Sequence, residues 1–99
     1  MMYLQNFRTH TLACEFYRDC KKTSLPAYAK DQLRRAAFSI ALNLAEGSDK
    51  PSAKEKARFY AIALGSLREV QSIIRLEDLT HLEKKADHIG AYLYKLINS

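Results

Sequence analysis

The side chains with the widest chemical reach are few here, and their spacing decides what they do. A metal centre inside a helical bundle draws a Glu from each of two helices and a Glu-x-x-His from each of two others. The chain has no Glu-x-x-His, and its nearest approach, Asp78-Leu79-Thr80-His81, straddles a predicted helix start and does not present both ligands from one face. His81 and His88 are about 10 Å apart along a helix axis, too far to share one ion. His10 stands on a different segment without an evident partner. Cys14 and Cys20 lie about 9 Å apart on one helix, beyond bridging distance. Without a Cys-x-x-Cys they read as two half-buried free thiols. No phosphate loop, dinucleotide fingerprint or nucleophile elbow occurs. A chain this short holds one core but not a core plus an enclosed cleft. The expectation is a protein that is not an enzyme and takes no metal and no cofactor.

Two constellations carry more chemistry. Gln32, Arg35, Ser39, Asn43 and Glu46 recur at helical spacing on one face, with Arg34 beside them. One explanation is structural: Asn43 and Glu46 pair with Arg35, or with Ser66 and Glu69 of another helix, because buried polar groups need partners. The other is functional, with Arg34 and Arg35 facing outward to hold phosphate. The second constellation is basic and aromatic. Lys85, His88, Tyr92 and Lys95 follow helical spacing, and Lys50, Lys54, Lys56 and Arg58 cluster nearer the middle of the chain. Cations bind phosphate and an exposed ring stacks on a base, so these are candidate nucleic-acid contacts with Tyr92 as the platform. Glu55, Glu83 and Asp87 are interleaved with them, and a solvated helix face of mixed sign has the same pattern.

The elements that must position these groups are helices. Leu4, Phe7, Leu12, Phe16 and Tyr17 recur at helical spacing and predict a first helix over 4–22. Pro26 suits a first turn, with Ser24 a candidate cap. The second helix, 26–46, carries Leu33, Ala37, Ile40 and Leu44 as its core stripe, with Gly47 as its stop. Ser52-Ala53-Lys54-Glu55 and Thr80-His81-Leu82-Glu83 both read as capping boxes, opening helices over 53–77 and 81–97. The last repeats Leu82, Ala86, Ile89, Leu93 and Leu96 at core spacing. Four amphipathic helices joined by short loops predict one all-α domain over 1–99, an up-down-up-down antiparallel four-helix bundle.

Helix three is apolar from Phe59 to Leu64, more than one inward stripe requires. Phe59 and Ile62 are therefore candidate contacts between copies in a homo-oligomer, the alternative being ordinary surface hydrophobes. Ala36, Ala37, Ala41 and Ala45, and Gly65-Ser66, leave room for a neighbouring helix to approach closely. The 99 residues are 47% hydrophobic and 27% charged, with a formal net charge of +5. That surplus suits an acidic partner or plain solubility. No stretch has the ~18 uncharged apolar residues that a membrane span needs. The first residues lack a secretion-signal pattern, so a cytoplasmic protein with no membrane partner is expected.

The segment Gln32-Leu33-Arg34-Arg35-Ala36-Ala37-Phe38-Ser39-Ile40-Ala41-Leu42-Asn43-Leu44-Ala45-Glu46-Gly47 resembles the signature of the bacterial four helix bundle protein family, first noted as products of intervening sequences in large-subunit ribosomal RNA genes. Phe59-Tyr60-Ala61-Ile62-Ala63-Leu64-Gly65-Ser66-Leu67-Arg68-Glu69 is similar to that family's second block. The resemblance spans nearly the whole chain. It implies an antiparallel bundle assembled as a ring-like pentamer, and motif positions at Arg34, Arg35, Ser39, Asn43, Glu46, Gly47, Ser66 and Glu69. A related group, the accessory variability determinant proteins of diversity-generating retroelements, forms basic pentameric barrels that bind a reverse transcriptase and its RNA. The family usually has Pro where Ala41 stands, so helix two is expected to run straighter here. It also opens with a Trp near Asn6 or Phe7, which this chain lacks. Two functions follow as expectations. The first is RNA or nucleoprotein binding by an oligomer through basic faces. The second is an adaptor docking a partner enzyme such as a reverse transcriptase.

Overall fold

The computed structural model describes the backbone of residues 2–98 and the side chains of 6–98. Four α-helices account for most of it: α1 (Met2–Lys22), α2 (Ala27–Ser48), α3 (Ala53–Leu76) and α4 (Glu83–Ile97), with a single 3₁₀ turn at Thr80–Leu82. Their packing closes a square. α1 lies against α2 and α4, and α3 lies against the same two, so α1 and α3 sit on a diagonal. The result is an antiparallel four-helix bundle measuring 41 × 20 × 18 Å, with a radius of gyration of 13.0 Å.

Each helix turns one apolar stripe inward, as burial of nonpolar surface demands. Leu33, Ala37, Ile40 and Leu44 of α2 and Leu82, Ala86, Ile89, Leu93 and Leu96 of the α4 segment are all buried. α1 departs from expectation. Its inward line is Thr9, Ala13, Phe16 and Cys20, whereas Phe7 is 66% exposed. Hydrophobicity points to Phe7, but the stripe passes through the polar Thr9, two residues on and on the opposite side of the helix. Leu4 falls outside the described side chains. Cys20 is fully buried rather than half-buried, and burial pushes its thiol up to about 12.

The helix ends explain several further differences. Pro26 itself occupies the N-cap of α2, and its carbonyl accepts from the amides of Ala29 and Lys30 at 3.1 and 2.9 Å. Ser24 makes no cap. Gly47 does not stop α2, which runs unbroken through Ala41 to Ser48. Gly47 instead leaves room for α3: a Cβ there would lie 2.7 Å from the Tyr60 ring. The Ser52 hydroxyl caps α3 by accepting from the Glu55 amide at 3.2 Å, and it donates to the Glu55 carboxylate at 3.0 Å. The second box does not form, because Thr80 begins the 3₁₀ turn and no side chain caps α4. Asp78, with φ of 56°, reverses the chain in the left-handed region, and the Leu79 amide returns to the Ile74 carbonyl at 2.9 Å.

Candidate nucleic-acid interface

Hydrogen bonding sorts the polar stripe of α2. Ser39 Oγ and Ser66 Oγ lie 2.8 Å apart across the α2–α3 seam. Asn43 Nδ2 donates to the Ser39 carbonyl at 2.9 Å and to its hydroxyl at 3.1 Å. This short chain of donors pins one helix register against the other. Glu46 and Glu69 take no part in it: both are exposed, and Glu46 pairs instead with Lys50 at 3.8 Å. Arg34 and Arg35 face solvent and share the Asp31 carboxylate, each at 3.3 Å.

The basic residues expected at the start of α3 are brought together, though with local partners. Lys56 Nζ donates to the Ser48 carbonyl at 2.9 Å. Lys50 Nζ lies 4.9 Å and the Arg58 guanidinium 5.8 Å from the centre of the Phe59 ring. Phe59 is therefore half-buried beneath two cations of its own chain, while Ile62 is 45% exposed. Lys54 is exposed and forms no ion pair among the described residues.

Lys85, His88, Tyr92 and Lys95 share one face of α4, with His88 and Lys95 exposed. Lys85 reaches across to α1, 2.7 Å from Asp19 and 3.9 Å from Glu15. The hydrogen bond to Asp19 raises its pKa above the ordinary lysine value. A lysine held by two carboxylates is a poor phosphate ligand, and this corrects its assignment. Tyr92 is half-buried, and the ring that α4 exposes is Tyr94, at 65%. Lys95 is exposed.

Sequence reasoning missed a groove of about 410 Å³ between α1 and α2. Its rim on α1 is Tyr17, Arg18 and Lys21, and its rim on α2 is Phe38 and Leu42. Ala41 and Ala45 form a low floor, and at one end Cys14 Sγ lies 3.7 Å from His10 Nε2. The Tyr17 and Phe38 rings meet at 5.7 Å between centroids, tilted by 58°. Lys21 Nζ stands 4.9 Å above Tyr17. Phe38 and Leu42 remain 52% and 50% exposed, and no carboxylate lines the groove among the described residues. The signal was present as Tyr17-Arg18 with Lys21 one turn on, and as Phe38 and Leu42 beside the core stripe. Periodicity uses Tyr17 only to mark the first helix and gives Phe38 no role.

A family model described as the 23S rRNA-intervening sequence protein matches residues 7–96, which takes in nearly all of the four helices. The chain belongs to that family. No curated protein matches it significantly. Within the family frame, the described residues contain no group of three His, Cys, Asp or Glu placed to hold a metal. No described helix is long and apolar enough to cross a membrane.

Proposed function

We propose that the chain is a non-enzymatic RNA-binding bundle that acts as a homo-oligomer, a pentamer being favoured by the resemblance of its two motif blocks. One observation carries the reading: charge is compensated unevenly. Between residues 18 and 35 stand Arg18, Lys21, Lys22, Lys30, Arg34 and Arg35, against only Asp19 and Asp31. Asp19 is already taken by Lys85. The end of α1 and the start of α2 therefore present a net positive surface, to which Lys54 and Lys95 add exposed cations elsewhere. The half-exposed Ile62 supports contact between copies, and the family description ties the chain to ribosomal RNA genes.

The mechanism is electrostatic. Lysine and arginine displace counterions from phosphates without reading bases, and five copies of a +5 chain concentrate about +25 in one assembly, multiplying weak contacts into avidity. Titrating a labelled structured RNA at two salt concentrations tests it. Affinity should fall steeply with salt; absent or salt-independent binding would remove the reading. Light scattering at micromolar concentration should report an oligomer. The adaptor reading draws on exposed apolar residues such as Ile62 and Leu76, and it expects partner binding that resists salt.

A further inference from the structure

We infer that the α1–α2 groove takes an unpaired nucleotide, with Phe38 as the stacking platform and Arg18 and Lys21 holding the flanking phosphates, so that the protein prefers single-stranded or looped RNA to duplex. The inference rests on the RNA-binding reading and adds to it a strand type and a site.

The roles follow from which ring faces are occupied. Lys21 Nζ lies over Tyr17, so that ring already has a cation on one face. Tyr17 in turn abuts Phe38 at a tilt and fixes its orientation. Phe38 is left half-exposed beside the groove, an oriented aromatic surface of the kind on which bases stack. The floor is alanine, which lets a flat group approach the helix backbone. The charged groups on the rim, Arg18 and Lys21, are cations, which suit phosphate and would leave a carboxylate-free apolar ligand without an electrostatic partner. Size points the same way. The lining runs from His10 to Lys21 on α1 and from Phe38 to Ala45 on α2, about 16 and 10 Å along the two axes, enough for a base with its flanking phosphates. A base inside a duplex has both faces covered by its neighbours and cannot use this surface. An unpaired one can.

The test compares a single-stranded oligouridylate with an RNA hairpin duplex of equal length, both labelled, against wild type, Phe38→Ala, Phe38→Tyr, a combined Arg18→Glu and Lys21→Glu variant, and Lys54→Glu. Wild type should bind the single strand more tightly. Phe38→Ala should weaken single-strand binding about tenfold while leaving duplex binding within about twofold, since stacking serves only the unpaired base. Phe38→Tyr should restore it, which separates a lost ring face from a damaged fold. The double charge reversal should weaken both RNAs and reduce the salt slope by about two, one for each cation lost. If wild type binds RNA but Phe38→Ala matches it on the single strand, the groove assignment falls and the electrostatic reading stands. If wild type binds neither RNA, both fall. If Phe38→Ala instead turns an oligomer into a monomer in light scattering, the groove belongs to an interface between copies, and the inference is overturned.

Discussion

The two flanks of α2, on either side of its buried apolar stripe, differ in character. Toward α3 it presents Ser39, Asn43 and Gly47, polar or minimal residues held in a close seam. Toward the α1 side, adjacent residues Phe38 and Leu42 stay half-exposed over a groove. The half-buried polar groups of the seam satisfy one another, and Ser39 with Ser66 and Asn43 specifies a single register. The apolar groups outside gain little from folding, since much of their surface stays wet. The seam should therefore govern stability, and the groove should govern binding.

Substitutions can break or sharpen that contrast. The largest effect is expected at the seam: Tyr60→Ala removes a fully buried ring and should cost about 3–5 kcal/mol in urea unfolding. Phe38→Ala should cost less than about 1 kcal/mol, because half its surface is already in water. Equal losses would erase the distinction. Gly47→Ala comes next, at about 1–3 kcal/mol, because its Cβ meets the Tyr60 ring at 2.7 and 3.0 Å and Phe59 Cβ at 3.1 Å. Gly65→Ala is its control. Nothing lies within 4 Å of a Cβ there, so the helix should gain about 0.5–1 kcal/mol. A gain at Gly47 as well would mean that the Tyr60 ring moves aside and that packing does not require glycine there.

Smaller effects probe the hydrogen bonds and the titrating groups. Ser39→Ala should cost about 1 kcal/mol, and adding Ser66→Ala should cost less than the sum, because the second change removes a hydroxyl that the first left unpaired. Lys85→Met should lose at most about 1 kcal/mol, since its partners are half-exposed and screened by solvent. Its raised pKa sets the sign: the contribution is complete below pH 10.5, the ordinary lysine value, and disappears as pH rises through the folded value. Cys20 acts in the same direction. Its thiol is raised from 9.0 to about 12, so stability should decline between those values, and Cys20→Ala should flatten that part of the profile. At neutral pH the two thiols should differ in access. A thiol reagent should label half-buried Cys14 in the native protein and reach Cys20 only on unfolding.

Much of this architecture was legible in the chain. The stripes through Leu33 to Leu44 and Leu82 to Leu96 needed only period and hydrophobicity, and Ser52 with Glu55 announced α3. Thr80 with Glu83 carried the same letters and formed no cap, because Asp78 had already turned the chain and the 3₁₀ turn claimed those residues. Gly47 looked like a terminator for the reason that glycine often is one. Its actual role depends on where Tyr60 arrives from another helix, which spacing along α2 does not encode.

Among the candidate contacts, local pattern located the cations but not their partners. Lys85 and Lys54 are alike as letters, yet one is held by Asp19 and Glu15 across the bundle and the other stands in solvent. The number, length and inward faces of the helices were determined by the sequence alone, because periodicity and breakers are properties of one segment at a time. The Phe38 groove, the seam at Gly47 and the neutralisation of Lys85 were decided only by the tertiary structure. Each depends on the distance between side chains from different helices, and helix docking sets that distance.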